Sequence, residues 1–157
     1  MQIKNKQKHK ATADLDGSKQ KGCIVVARWN GSITKKLLES ALVALKKSKM
    51  LERNIRVIHV AGSVEIPFAL HKIALSGKYD FLVALGCIIR GETPHFDYVA
   101  KMVTEGVLRV GLDYKIPIGF GVITADNEEQ TKARLHLGRG AVIAAIHSAK
   151  EIKNLSL

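Results

Sequence analysis

The sequence predicts a single α/β domain, a three-layer α/β/α sandwich built around a four-stranded parallel sheet. Three observations predict it. Short, continuously apolar runs rich in β-branched residues recur four times from residue 22 onward. Each is followed by a segment with helical periodicity, the pattern of a parallel sheet covered on both faces. At 157 residues, 46% hydrophobic and 25% charged, the chain has the size and composition of one ordinary core.

Cys23 to Arg28 is the first strand, bounded by Gly22 and Asn30-Gly31. A helix follows over Ile33–Ser48, with Ile33, Leu37, Leu38, Ala41, Leu42 and Leu45 on one stripe. Ser32 or Thr34 is its expected cap, and Lys46, Lys47 and Lys49 suit the negative end of its dipole. Ile55–Val60 is the second strand. Pro67 fits the first turn of a helix running to about Ser76, which Gly77 ends. Asp80–Ile89 is the third strand, apolar on both faces, and a helix follows over Phe96–Tyr114. Ile116–Thr124 is the fourth strand, with closing helices over Asn127–Leu137 and Gly140–Ile152. Right-handed crossovers between such strands give a flavodoxin-like arrangement.

Charge is the unusual quantity. Lys and Arg number 25 against 14 for Asp and Glu, a net charge of +11. Lys4, Lys6, Lys8, Lys10, Lys19 and Lys21 stand against Asp14 and Asp16, so residues 1–21 carry +4 of it. With almost no apolar residues, this segment reads as a basic flexible tail, leaving residues 22–157 as the domain. The remaining lysines are spread over helical faces without interleaved aromatics or a basic recognition helix, so no nucleic-acid partner is expected. The longest apolar run, Phe81–Ile89, is too short to span a bilayer, so no membrane association is expected. No apolar stretch follows the N-terminal lysines, and Cys23 and Cys87 are the only cysteines. A cytoplasmic location follows as the expectation.

In open parallel sheets, ligands bind beyond the carboxyl ends of the strands. There the sequence places Arg28-Trp29-Asn30-Gly31, Ala61-Gly62-Ser63-Val64-Glu65-Ile66-Pro67, Arg90-Gly91-Glu92-Thr93-Pro94-His95-Phe96-Asp97-Tyr98 and Ala125-Asp126-Asn127. Polar and special residues gather on this one edge while the strands are bland, the signature of a site. Gly91-Glu92-Thr93 opens a helix N-terminus suited to a phosphate, although no Gly-Lys-Ser/Thr follows to make a nucleoside-triphosphate loop. His95 lies beside it and suits proton transfer near neutral pH. Asp97 either orients His95 or caps the helix. Trp29, the only tryptophan, either packs in the core or offers a stacking face to a planar ring. Glu65 either binds hydroxyls or carries charge in the first helical turn. Arg134 is either a surface arginine or a phosphate clamp. The histidines lack the spacing of a zinc site, and no metal is expected.

The same loops carry a family resemblance. Ala27 to Asn30, Ala61 to Pro67, and Ala84 through Gly91-Glu92-Thr93-Pro94-His95-Phe96-Asp97-Tyr98 to Val99 resemble the lumazine synthases. Gly119 to Thr124 and Glu128-Glu129-Gln130 match them too, and the resemblance runs in order from about residue 22 to 152. It implies condensation of 5-amino-6-(D-ribitylamino)uracil with 3,4-dihydroxy-2-butanone 4-phosphate to 6,7-dimethyl-8-ribityllumazine, the penultimate step of riboflavin biosynthesis, with no cofactor. It implies His95 as the proton-transfer residue, Glu92, Thr93 and Arg134 as the phosphate site, and Trp29 as the ring stacked on the pyrimidine. Ser63, Val64 and Glu65 match the ribityl-binding segment, and Cys87, Ile88 and Ile89 the strand end that holds the pyrimidine. Phe120 matches a residue contributed from an adjacent subunit. The resemblance thus implies a homo-oligomer with sites between subunits, a pentamer or paired pentamers.

Some positions depart from the family pattern. Ala61 stands where proline is common, Val64 where an aromatic is frequent, and Arg139 where lysine is usual. Only Leu135-His136-Leu137-Gly138 separates Arg134 from Arg139, whereas many relatives that build icosahedral cages have a longer segment. A ring is therefore expected in preference to a cage. Two other classes remain open at this point, a flavin-binding module of similar architecture and a nucleic-acid binder supported only by the charge.

Overall fold

A strand that is apolar at every position needs cover on both faces, and β1 (Gly22–Ala27) and β3 (Phe81–Ile89) receive it. All of β1 is buried, as is β3 up to its last residue. The computed structural model describes residues 15–155. Within them the sheet has four parallel strands in the order β2-β1-β3-β4, where β2 is Ile55–Val60 and β4 is Ile118–Ala125.

The strand period of two divides the core into two layers. Ile24, Val26, Val83, Leu85 and Ile123 face helices α1 (Gly31–Lys47) and α5 (Leu137–Lys153). Cys23, Val25, Leu82, Ala84 and Val122 face α2 (Ile66–Ala74) and α3 (His95–Asp113). A short helix, α4 (Glu128–Lys132), lies between β4 and α5. The predicted three-layer α/β/α architecture is thus observed.

Local differences have local causes. No side chain caps α1: its N-cap is Asn30, and Thr34 is buried in the helix instead. The single helix expected over 127–137 stops at Lys132. Asn127 caps its start by accepting from the Gln130 N–H, and the buried Thr131 hydroxyl turns back to the Glu128 carbonyl at 2.5 Å. The chain then proceeds by three-residue turns, Arg134 N–H to Thr131 and Leu137 N–H to Arg134, before α5 begins. Gly138, in the first turn of α5, lies against the Leu37 backbone, where a Cβ would collide with the carbonyl. α5 thus begins three residues earlier than the periodicity suggests, with a glycine where the two helices meet.

Residues 15–21, assigned from composition to the tail, pack on the domain. Leu15 is buried in the α1/α5 layer, the Gly17 N–H donates to the Ser48 carbonyl, and the Gln20 side chain donates to the Ile146 carbonyl. The Lys21 N–H also donates to the Asp80 carboxylate and its carbonyl accepts from the Asp80 N–H, so one apolar residue and four hydrogen bonds dock a segment whose composition alone reads as solvent-borne. The rest of the expected tail, residues 1–14, lies outside the described residues.

Candidate active site

Four loops leave the carboxyl edge of the sheet, and three of them enclose a cleft of about 430 Å³. Trp29 and Asn30 enter it from the end of β1, and Gly62 to Glu65 from the end of β2. Cys87, Ile88 and Ile89 form its floor at the end of β3, while Gly91, Thr93, His95, Phe96 and Val99 close the side toward α3.

Each position has a local cause. Asn30 adopts a left-handed conformation (φ 57°, ψ 44°), so the chain reverses sharply after β1 and Trp29 stands at the rim, 73% exposed. The structure therefore decides Trp29's alternatives: it is not a core residue. The β2 loop is closed by a reciprocal turn: Glu65 Oε2 accepts from the Gly62 N–H at 2.8 Å, while the Glu65 N–H donates to the Gly62 carbonyl. One carboxylate oxygen of Glu65 is thereby engaged, and the other has no partner among the described residues. Ser63 is buried because Gly86 makes room for it; a Cβ at Gly86 would lie 2.5 Å from the Ser63 hydroxyl. A glycine inside a buried strand marks this kind of close approach.

The loop after β3 presents exposed backbone. The N–H groups of Gly91, Glu92 and Thr93 have no hydrogen-bond partner among the described residues, and all three residues are exposed at the start of α3. Unpaired amides in a row at a helix N-terminus favour an anion. The Thr93 hydroxyl accepts from the His95 N–H, which leaves the imidazole exposed at the cleft wall. Asp97 does not orient His95. Its carboxylate instead receives a two-pronged contact from Arg90, whose guanidinium also binds Asp126 and covers the Phe96 ring. These contacts hold the Arg90 guanidinium above its already high ordinary pKa, the Asp126 hydrogen bond first.

The Cys87 thiol is no nucleophile here: burial pushes its pKa up to about 11, with Glu128 adding to the rise. Among the described residues, no group of three His, Cys, Asp or Glu is placed to hold a metal ion, and no helix is long and apolar enough to cross a membrane.

Of the residues singled out in the sequence, Trp29, Ser63, Val64, Glu65, Cys87, Ile88, Ile89, Thr93 and His95 line the one cleft. Glu92, Phe120 and Arg134 do not. Glu92 is exposed between Gly91 and Thr93, which do line it. Arg134 is exposed after α4, with one guanidinium N–H given to the Gln130 carbonyl at 2.7 Å. Phe120, in the middle of β4, lies in a separate apolar groove with Leu108 and Leu112 of α3 and Ile152 of α5. Sequence reasoning assigned no role to Asn30, Arg90, Phe96 or Val99. Arg90 and Asn30 stood in the quoted loops, but Asp126 and Cys87, to which they donate, are 36 and 57 positions away.

Comparison with known proteins shows the family. The sequence profile of the family described as 6,7-dimethyl-8-ribityllumazine synthase matches residues 19–153. The 6,7-dimethyl-8-ribityllumazine synthase of Kosmotoga olearia is 44% identical over 124 residues, which span 79% of this chain and 80% of that protein. A profile match over most of the chain, together with a relative this similar over four-fifths of its own length, means that the chain belongs to the 6,7-dimethyl-8-ribityllumazine synthase family.

Proposed function

We propose that this chain forms 6,7-dimethyl-8-ribityllumazine from 5-amino-6-(D-ribitylamino)uracil and 3,4-dihydroxy-2-butanone 4-phosphate, in riboflavin biosynthesis. The observation that carries the reading is the cleft itself. An exposed indole, a free carboxylate oxygen, a row of unpaired amides and an imidazole border the same space.

The pyrimidine stacks on Trp29 and is held at its edges by the backbone of Cys87, Ile88 and Ile89. The ribityl chain lies along Ser63, Val64 and Glu65, whose remaining carboxylate oxygen accepts from a hydroxyl. The butanone phosphate sits on the amides of Glu92 and Thr93, with Arg134 as its cationic partner. The ring amine attacks the butanone carbonyl, and loss of water gives an imine. Removal of a carbon-bound proton then drives out phosphate. The ribitylamino nitrogen closes the second ring with loss of a second water. His95, on the cleft wall, receives and returns these protons. No cofactor is needed, because every step is a condensation or elimination between the two substrates. Holding two reactants together supplies most of the acceleration, and the imidazole about 10²–10⁴-fold.

Phe120 and Arg134 lie outside the cleft of their own chain, which fits a site completed by an adjacent copy. A homopentamer, single or paired, with its sites between neighbours accommodates this, and cytoplasm is the expected location. The test is direct. Purified protein is incubated with both substrates and lumazine absorbance followed. Binding without lumazine formation would leave a flavin- or pterin-binding module in place of an enzyme.

A further inference from the structure

The segment between Arg90 and Asp97 carries the exposed amides of residues 91–93 and His95, yet no backbone hydrogen bond of those amides holds it in place. Its two ends are held instead. Arg90 is the last residue tied to the sheet, through its N–H to the Ala125 carbonyl at 2.9 Å. Its side chain then reaches two elements. Nε donates to Asp126 at 2.9 Å, at the carboxyl end of β4. Nη1 and Nη2 donate to the two oxygens of Asp97 at 3.3 and 3.4 Å, in the first turn of α3. The guanidinium carbon sits 4.3 Å from the centre of the Phe96 ring, which itself lines the cleft. Asp126 is fixed in turn, its N–H donating to Gln130 Oε1 at 2.8 Å.

We infer that Arg90 is a positioning residue that sets the phosphate-binding and proton-transfer segment, by clamping the two ends of residues 91–96 to each other and to β4. The inference rests on the functional reading above, which places phosphate on those amides and proton transfer on His95. A planar fork meets two carboxylates and an aromatic face at once, which a lysine ammonium does not. With two carboxylates on one cation, the cluster has a net negative charge, so Arg90 acts by geometry and not as an attractor of phosphate.

Charge and geometry make opposite predictions for the loss of the Asp126 carboxylate, so the experiment separates them. Arg90→Met removes the fork and keeps an apolar stem over Phe96. Asp126→Asn keeps Arg90 and frees it from one partner. For each variant, kcat and KM are measured for both substrates, and inorganic phosphate and a non-reactive ribitylaminopyrimidine analogue are titrated by calorimetry. Both variants should lose on the order of ten- to a hundredfold in kcat/KM for the butanone phosphate, the scale of a reactant misplaced by about 1 Å. Both should bind inorganic phosphate more weakly and the analogue unchanged. Arg90→Lys should fall with Arg90→Met. An Asp126→Asn variant that binds phosphate more tightly, a full rescue by lysine, or unchanged phosphate parameters in Arg90→Met would overturn the clamp. If Arg90→Met does not fold, Asp126→Asn still decides between the two. A wild-type protein that makes no lumazine would sink the functional reading, whereas an active wild type with indifferent variants would sink the clamp alone.

Discussion

The side-chain amide of Asn30 donates to the main-chain carbonyl of Cys87 at 2.8 Å, joining the carboxyl ends of β1 and β3 across the floor of the cleft. The same residue is left-handed, and its own carbonyl accepts from Ile33 and Thr34 to start α1. One asparagine therefore meets a backbone requirement and a hydrogen-bonding requirement at the junction that aims Trp29.

These two requirements can be separated by substitution. Asn30→Gly loses the hydrogen bond but keeps an easy left-handed backbone, while Asn30→Ala loses the bond and strains the backbone. Asn30→Ala should lower stability by about 2–3 kcal/mol, and Asn30→Gly by about 1 kcal/mol less. Urea unfolding of the three proteins measures it. Equal losses would show that the left-handed backbone is not what selects the residue.

On the proposed mechanism, His95→Ala should slow the chemical step by no more than about 10²–10⁴-fold, because it removes the proton carrier and leaves the groups that orient both reactants. Single-turnover rates at saturating substrates are the measurement. A chemical rate equal to that of the wild type would remove His95 from the mechanism.

Both thiols should make the protein less stable in alkali. Cys23 and Cys87 are buried, and loss of solvation pushes each up to about 11 from an ordinary value near 9. Between these values the unfolded chain gives up its thiol protons while the folded chain keeps them. Stability attributable to each thiol is intact below about pH 9 and falls as pH rises toward 11, by at most about 2–3 kcal/mol per thiol. Denaturant unfolding from pH 8 to 11 should show a shallower decline in Cys23→Ala than in wild type. At pH 8, iodoacetamide should label neither thiol until the protein is unfolded. Rapid labelling of the folded protein would contradict the burial argument.

The groove holding Phe120 should be an interface between copies. Leu108, Leu112, Phe120 and Ile152 are all 42% exposed or more, and together they line an apolar groove of about 640 Å³. Contiguous exposed apolar surface of this kind marks an association site, and a head-to-tail contact closes into a ring when its rotation permits. Native mass spectrometry should show a pentamer or paired pentamers, and Phe120→Glu should shift it toward smaller species with loss of activity. An icosahedral particle would contradict the ring expected from the short Leu135–Gly138 connection. A monomer active at dilution would contradict the shared site.

The sheet and its helices were legible in the chain because both signals are local and periodic. Val25 and Val83 sit in runs that only a two-sided burial explains, and Leu37 and Ala41 repeat on one helical stripe. The loops after those runs were legible for the same reason: chemically special residues such as Trp29, Glu65 and His95 stand out where the apolar pattern stops. By itself, then, the sequence determined the alternation of strand and helix, the sheet edge where the chemically special residues gather, and the motif that marks the family. Tertiary structure alone decided what each polar side chain does there. Asp97 read as either a partner for His95 or a cap of the helix, but it does neither, because Arg90 takes it. Asn30 read as part of a turn, yet it holds the carbonyl of Cys87, 57 positions away. Leu15 and Gln20 read as tail, yet they dock on α1 and α5. Apolar residues reveal their burial through spacing along the chain. A hydrogen bond or ion pair depends on distance and direction between atoms that only folding brings within about 3 Å.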